Sequence, residues 1–181
     1  HSFSSTVSRT LTQTRDDGKK ITIYCTESRP KREGQKMALS LLNEGLEVKL
    51  ITDSAAFSLL QSKTIDHVLC GGDSLFEQGL VNKIGTLGLA IACWYEKLPF
   101  YCLCSLTKFL SAPLEPSLGE IKNPSEISML HAPNLEVINF YFDLTPLEIL
   151  SGVVTEKGVL NHGEILDELR GKISNQKLFA T

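Results

Sequence analysis

Residues 21–52, ITIYCTESRPKREGQKMALSLLNEGLEVKLIT, decide the fold class, because a strand, a helix and a second strand follow one another there. The β-branched run at 21–26 lies between the polar stretches DDGKK and ESRP, which is typical of a short buried strand. From Gln35 to Leu46 apolar side chains recur on one helical face, and Gly45 marks the end of that helix. EVKLIT at 47–52 is the next strand, so the stretch predicts a β–α–β unit.

The same alternation continues along the chain. The pattern predicts helices over 55–60 and from Asn82 to Lys97, and strands over 66–71 and 99–104. The strands are apolar without polar alternation, as in a parallel sheet that is covered on both faces. We therefore predict an α/β domain of the Rossmann-like, doubly wound type, with a mostly parallel sheet and helices on both faces.

The flanking segments are less regular. Val7 and Leu11 lie one turn apart in a short helix that leads into the first strand. After Lys108 a proline-rich excursion of about 25 residues interrupts the pattern, and loops of that length are usually functional or lie at interfaces. A regular apolar pattern is found again over 135–146 and 152–160, and an amphipathic helix is predicted over 163–173.

Composition narrows the function classes. The chain has 181 residues, 42% of them apolar and 22% charged, which is ordinary for one globular domain. A formal net charge of −3 gives no reason to expect direct nucleic-acid or membrane binding. The five cysteines lie in apolar surroundings without CxxC spacing, and the four histidines are scattered. We expect free buried thiols in a reducing, cytoplasmic compartment, and neither a metal site nor a cofactor.

Polar stretches follow the four predicted strands: ESRP, TDSAA, GGDSLFEQGLVNK and SLTKF. Ligands of open parallel sheets bind beyond the carboxyl ends of the strands, so these stretches are the candidate site. The chain has no GxGxxG after its first strand and no GxxxxGK[ST], which disfavours a dinucleotide or P-loop site. Asp53 or Ser54 can also cap the helix that follows them.

Three charged residues in these stretches allow two interpretations each. Lys83, at the predicted start of a helix, either points to solvent or joins Arg29 and the helix amides in binding an anion. Asp73 either forms a turn after two glycines or takes part in chemistry. Lys108 either binds a ligand or is an ordinary solvated lysine.

Seven short motifs occur in order along nearly the whole chain: ESRP (27–30), GGDSL (71–75), NKIGT (82–86), PFY (99–101), TKF (107–109), FDLTP (142–146) and TEKGV (155–159). Their order and spacing resemble the family of the alpha, beta and delta subunits of eukaryotic translation initiation factor 2B. That family also contains isomerases of methylthioribose-1-phosphate and ribose-1,5-bisphosphate. The resemblance implies that residues 1–181 form the Rossmann-like C-terminal domain, which in the isomerases follows an N-terminal helical domain that lies outside these residues.

The resemblance also implies site residues. In the isomerases a cysteine and an aspartate share the acid/base work, and the matching positions here are Ser2 and Asp73. Asn82 and Lys83 match an Asn-Lys pair that holds the substrate's phosphate and hydroxyl groups. The remaining implied ligand contacts are Lys108, in a YKF-like motif, and Ser4 and Ser5, in a loop that faces a phosphate.

This sequence departs from the isomerase pattern at two places. Ser2 and Phe3 stand where the isomerases have Cys-Asn, and the loop from Asp73 to Asn82 is one residue shorter, with Gln78 before its glycine. Since serine is a weaker base than a thiolate, we expect a regulatory, non-catalytic protein related to the initiation-factor subunits. It would bind a phosphorylated sugar or nucleotide. The alternative is an aldose-phosphate isomerase that uses Asp73.

The C-terminal half carries the predicted assembly surface. The family resemblance implies a homodimer or an assembly with related subunits through this half, and the aromatic run VINFYF at 137–142 is a candidate contact. Asp143 either supports the site or caps a helix opened by Pro146, and the DLTP pattern favours the cap.

Overall fold

The computed structural model describes residues 1–111 and 114–178. Over these residues the chain forms five α-helices: α1 Ser5–Asp16, α2 Glu33–Asn43, α3 Ala55–Gln61, α4 Thr86–Glu96 and α5 His162–Leu178. It also forms nine strands: β1 Thr22–Thr26, β2 Glu47–Ile51, β3 Val68–Gly71, β4 Ser74–Phe76, β5 Gly79–Lys83, β6 Phe100–Leu103, β7 Phe142–Thr145, β8 Gly152–Thr155 and β9 Gly158–Leu160. The result is a mixed α/β fold with parallel strands and helices.

The four strands predicted from apolar runs are confirmed as β1, β2, β3 and β6. The first two pair in parallel, and β3, β6 and β8 form a second parallel ladder to which β9 adds an antiparallel edge. Because the two parallel ladders are separate in the described residues, the single continuous sheet of a doubly wound domain stays a prediction.

The segment between Asp73 and Thr86 differs from its prediction. Instead of a loop and a helix from Asn82, it contains the hairpin β4–β5, which β7 extends into a three-stranded antiparallel sheet. Helix α4 begins only at Thr86, after Gly85 at φ +100°. Asn82 and Lys83 therefore lie on a strand, and the predicted position of Lys83 at a helix N-terminus is wrong.

Helix α2 begins directly beyond the carboxyl end of β1. The Gly34 amide donates to the Glu27 carbonyl at 3.2 Å, and a Cβ at Gly34 would lie 1.7 Å from the Thr26 carbonyl oxygen. Only glycine permits this approach, because any side chain there would overlap the strand backbone. The close contact fixes the position of the first turn of α2, which carries Glu33 and Lys36.

Two apolar clusters form the core. The larger surrounds β3, β6 and β8 and includes the fully buried Phe100, Phe109 and Val153, while the smaller lies between α1, α2 and β1 around Leu41. All five cysteines are buried and free, as predicted. Burial raises the pKa of the Cys93 thiol to about 12.

The described part of the proline-rich excursion lies mostly at the surface and contains the 3-10 helix Pro124–Glu126. Glu126 anchors it by pairing with Lys31 at 2.5 Å and accepting hydrogen bonds from Tyr141 and Asn139. Within the described ranges no helix is both long and apolar enough to cross a membrane.

Candidate functional site

A cavity of about 410 Å³ lies beyond the carboxyl end of β3. Its wall comes from the N-terminal loop, the start of α2, the turn after β3, the end of β5 and the residues before β7. The lining residues are Ser2, Phe3, Ser4, Glu33, Lys36, Gly71, Gly72, Asp73, Asn82, Lys83, Tyr141 and Phe142. The structure thus brings five of the eight predicted site residues together around one space: Ser2, Ser4, Asp73, Asn82 and Lys83.

The two glycines allow the N-terminal loop to reach the end of β3. A Cβ at Gly71 would lie 2.8 Å from Ser4 Oγ, and one at Gly72 would lie 2.9 Å from the Leu80 side chain and 3.0 Å from Cys102 Sγ. Ser4 is also the N-cap of α1, where its Oγ accepts a hydrogen bond from the Val7 amide at 3.3 Å. Bare backbone at 71–72 therefore forms one wall of the cavity.

Lys83 is a buried cation, with only 7% of its side chain exposed. Its Nζ lies 3.1 Å from Glu33 Oε2 and 4.8 and 5.2 Å from the ring centroids of Tyr141 and Phe142. A carboxylate and two aromatic faces compensate the loss of water around the ammonium group. The side chain is consequently held at the cavity wall, and the interpretation that Lys83 points freely into solvent is wrong.

Asn82 is fixed by a short hydrogen-bond chain behind the cavity. Its Nδ2 donates to Thr86 Oγ1 at 3.0 Å, and that hydroxyl donates to the Lys83 carbonyl at 2.6 Å. Both Asn82 and Thr86 are buried. The start of α4 therefore fixes the strand that carries the Asn-Lys pair.

Asp73 stands at the turn between β3 and β4, and its amide donates to the Val81 carbonyl at 3.1 Å. The residue as a whole is exposed, but the cavity walls take water from its carboxyl group. This desolvation raises the pKa of Asp73, while the cations of Lys108 and Lys83 lower it in part and Glu33 raises it further. A carboxyl group with a raised pKa, beside two lysines, is suited to exchanging a proton.

His1 holds the N-terminal loop above the cavity. Its ring nitrogens lie 2.7 Å from Thr26 Oγ1 and 2.8 Å from the Ile84 carbonyl, and its side chain is 2% exposed. Ser2 follows with φ +61°, and its amide donates to Ser28 Oγ at 2.7 Å. These bonds fix a backbone conformation that is uncommon for residues other than glycine.

Three predicted ligand contacts do not line this cavity. The Arg29 guanidinium instead donates to the carbonyls of Glu126 and Ile127, at 3.0 and 3.1 Å. That Arg29 and Lys83 converge on an anion stays a prediction. Ser5 is the exposed first residue of α1. Lys108 ends a 3-10 helix at the surface, close enough to lower the pKa of Asp73.

The two predicted aspartate caps also differ. Asp53 does not cap α3, because its oxygens accept the amides of Ser28 and Arg29, both at 2.8 Å. Asp143 lies on β7 and caps α4, not a helix after Pro146. It is therefore a capping residue, as expected, but of a helix far away in sequence.

Sequence reasoning missed four lining residues: Glu33, Lys36, Tyr141 and Phe142. A signal for Glu33 existed, since it comes directly before Gly34 and soon after the ESRP motif. Among the described residues no cysteine lines the cavity, and no group of His, Cys, Asp or Glu side chains is arranged to hold a metal ion.

A larger cavity, of about 840 Å³, has residues of β1 and β3 in its wall. Its walls include apolar side chains of both core clusters, such as Ile23, Leu60 and Leu89. Of the predicted site residues it contains only Ser2, so the convergent charged groups favour the smaller cavity as the functional site.

Residues 1–162 match the model of the Initiation factor 2 subunit family. The chain belongs to this family. A protein of Methanothermobacter thermautotrophicus, named provisionally as a methylthioribose-1-phosphate isomerase, is 37% identical over 156 residues, which are 81% of this chain and 49% of that protein. The chain thus spans about half the length of this curated relative.

Two solved structures of family members are similar to the fold. The delta subunit of translation initiation factor eIF-2B from A. fulgidus has a TM-score of 0.79 and 27% identity, over 90% of this chain and 51% of that one. The 5-methylthioribose 1-phosphate isomerase from Pyrococcus horikoshii OT3 has a TM-score of 0.76 and 29% identity, over 92% and 49%. The family therefore includes both a named factor subunit and a named isomerase with this fold.

Proposed function

We propose that the protein to which this chain belongs is a sugar-phosphate isomerase that converts an aldose phosphate to its ketose. The observation that carries the proposal is a carboxyl group of raised pKa, Asp73, in the same cavity as Asn82 and Lys83. The relatives named as methylthioribose-1-phosphate isomerases support the substrate class. This reverses the preference for a non-catalytic role that the Ser2 position alone favours.

The chemistry needs a proton acceptor and groups that polarise oxygen. In the net reaction the ring C1–O4 bond breaks, C2 loses its hydrogen and its hydroxyl proton and becomes a carbonyl carbon, C1 gains the hydrogen and O4 gains the proton. No external oxidant or reductant is required. Asp73 takes the proton and returns it at the neighbouring carbon. Asn82 and Lys83 donate hydrogen bonds to the sugar oxygens on which negative charge develops.

Ser2 replaces the thiol of the isomerase pattern with a hydroxyl group. A hydroxyl of ordinary pKa does not ionise at neutral pH, so Ser2 donates and accepts hydrogen bonds at the sugar instead of acting as a base. Asp73 therefore carries the proton transfer without an ionised partner at position 2.

The second candidate is a regulatory protein that binds a phosphorylated sugar or nucleotide without turning it over. The same Ser2 position favours it, as does the likeness to the eIF-2B delta subunit. Both candidates use the same cavity. They differ in whether Asp73 moves a proton.

We further propose that residues 1–181 are the doubly wound, Rossmann-like C-terminal half of a longer protein. The coverage of about half of the relatives' length supports this. A preceding helical domain would close the cavity, and assembly as a dimer or with related subunits would use the C-terminal half. There Ile138 and Phe140 are about half exposed.

The test is an isomerase assay on the full-length protein with methylthioribose-1-phosphate and with ribose-1,5-bisphosphate. We expect turnover by the wild type, a loss of about 10²–10⁴-fold in kcat for Asp73→Asn, and a smaller loss for Ser2→Ala. Asp167→Asn, an exposed change on α5, is the matched control. Binding without turnover by the wild type would reject the isomerase in favour of the regulatory candidate.

A further inference from the structure

Two charged residues of the cavity have no role in the proposed reaction so far. Glu33 and Lys36, on the first turn of α2, face the same space as Asp73 and Lys83. The lining therefore holds two cations and two carboxylates, and it carries no net formal charge. A ligand with several negative charges meets no excess of positive charge there.

The most enclosed of the two cations is already paired. Lys83 Nζ lies 3.1 Å from Glu33 Oε2, and the rings of Tyr141 and Phe142 cover the ammonium group. Glu33 Oε2 is buried against that ammonium group, but the Glu33 side chain as a whole is 26% exposed. The exposed part of this carboxylate can therefore accept a hydrogen bond from a donor that enters the cavity.

A phosphate and a hydroxyl group interact differently with the Lys83–Glu33 pair. A phosphate placed against Lys83 would also lie close to the Glu33 carboxylate, and repulsion between like charges is strong where little water screens them. A sugar hydroxyl avoids that conflict, because it can donate to the Glu33 carboxylate and accept from the Lys83 ammonium group. The pair thus favours neutral hydroxyl groups over a phosphate.

We infer that Glu33 determines specificity: the cavity takes a pentose with one phosphate and a neutral opposite end, and rejects a bisphosphate. The inference rests on the proposed function for its substrate class. Glu33 and Lys83 hold ring hydroxyls, and the single phosphate lies on the side of Ser4, the 71–72 backbone and Lys36. Phe3, 48% exposed at the rim, provides apolar surface for the neutral end.

The experiment is isothermal titration of the full-length protein with ribose 1-phosphate and with ribose 1,5-bisphosphate, which differ only in the second phosphate. Ionic strength is held constant because screening changes charge effects. We expect the wild type to bind the monophosphate at least about tenfold more tightly. Glu33→Gln should tighten bisphosphate binding by about tenfold and change monophosphate binding less than about threefold.

Glu44→Gln is the matched control, since it removes the same charge from the exposed end of the same helix and should change neither affinity. Thermal unfolding checks that Glu33→Gln is folded. The inference is overturned if the wild type binds the bisphosphate as tightly as the monophosphate, if Glu33→Gln leaves the ratio unchanged, or if neither sugar binds. Selective monophosphate binding without any turnover would support the inference and reject the isomerase.

Discussion

The carboxylate of Asp143 on β7 holds the first turn of α4, because its Oδ2 accepts a hydrogen bond from the Gly85 amide at 2.7 Å and another from the Leu87 amide at 3.1 Å. The two elements are more than fifty residues apart in sequence. One side chain therefore joins the antiparallel sheet that carries Lys83 to the helix behind it.

Asp143→Ala should lower the free energy of unfolding by about 2 kcal/mol, since it removes the carboxylate cap and leaves two partly buried amides at the start of α4 without a partner. Urea denaturation measures the change. Asp167→Ala, on the exposed side of α5, is the control and should stay within about 0.5 kcal/mol. Equal effects of the two variants would show that the Asp143 cap contributes no stability.

The Lys83–Glu33 pair should show coupling in a double-mutant cycle. Lys83→Met leaves the Glu33 carboxylate without its cation in a poorly hydrated place, and should cost about 3 kcal/mol. With Glu33→Gln added, the loss should be smaller than the sum of the two single losses by about 1 kcal/mol or more. Chemical denaturation of the four proteins gives the coupling energy. Strictly additive losses would mean that the 3.1 Å contact carries no energy.

Lys108→Ala should raise the pKa of Asp73, because that cation is the larger of the two lysine charges that lower it. The acid limb of a pH–rate profile would then move to higher pH. The folded pKa of Asp73 lies above its unfolded value, so its contribution to stability is present at low pH and is lost as pH rises through the folded pKa. In Lys108→Ala the pKa of Asp73 is higher, so its contribution to stability is lost over a range that extends to higher pH.

Carbon-13 NMR of the Asp73 carboxyl group measures this shift directly. Lys19→Ala, which removes an exposed lysine at the opposite end of β1, should leave the pKa unchanged. A fall in the pKa of Asp73 on removing Lys108 would have the wrong sign for this account.

Gly34→Ala should destabilise the protein by about 3 kcal/mol or more, because a Cβ there would lie 1.7 Å from the Thr26 carbonyl oxygen and α2 must move. Gly171→Ala is the matched control: it lies in helix α5, nothing lies within 4 Å of its Cβ, and it should be neutral or stabilising by up to about 1 kcal/mol. Thermal unfolding compares the two. A Gly34→Ala protein as stable as the wild type would disprove the close contact between α2 and β1.

Much of the fold was predictable because its parallel strands are short apolar runs that lie between polar turns. The β4–β5 hairpin was not, since its strands are only three and five residues long and its turn depends on Gly79 at φ +151°. The predicted helix begins at Asn82, but Asn82 and Lys83 belong to β5 and the helix itself begins at Thr86. Gly85 was the signal that marked the true start.

The residues of the candidate site were also predictable only in part. Ser2, Ser4, Asp73, Asn82 and Lys83 were found because family motifs contain them, and they line one cavity. Arg29 does not line this cavity, because its guanidinium donates hydrogen bonds to the carbonyls of Glu126 and Ile127, 97 and 98 residues away in sequence. No local pattern reveals that pairing. Glu33 was missed for a similar reason: its role depends on how Gly34 seats α2 against β1.

If Asp73 moves a proton on a phosphosugar held in this cavity, replacing it must slow the chemical step itself. The most direct measurement is a single-turnover experiment, with full-length protein in excess over methylthioribose-1-phosphate and proton NMR following the C1 and C2 positions. We expect the ketose to form with the wild type, and to form at least about a hundredfold more slowly with Asp73→Asn. A sugar that binds and stays an aldose, or equal rates for both proteins, would contradict it.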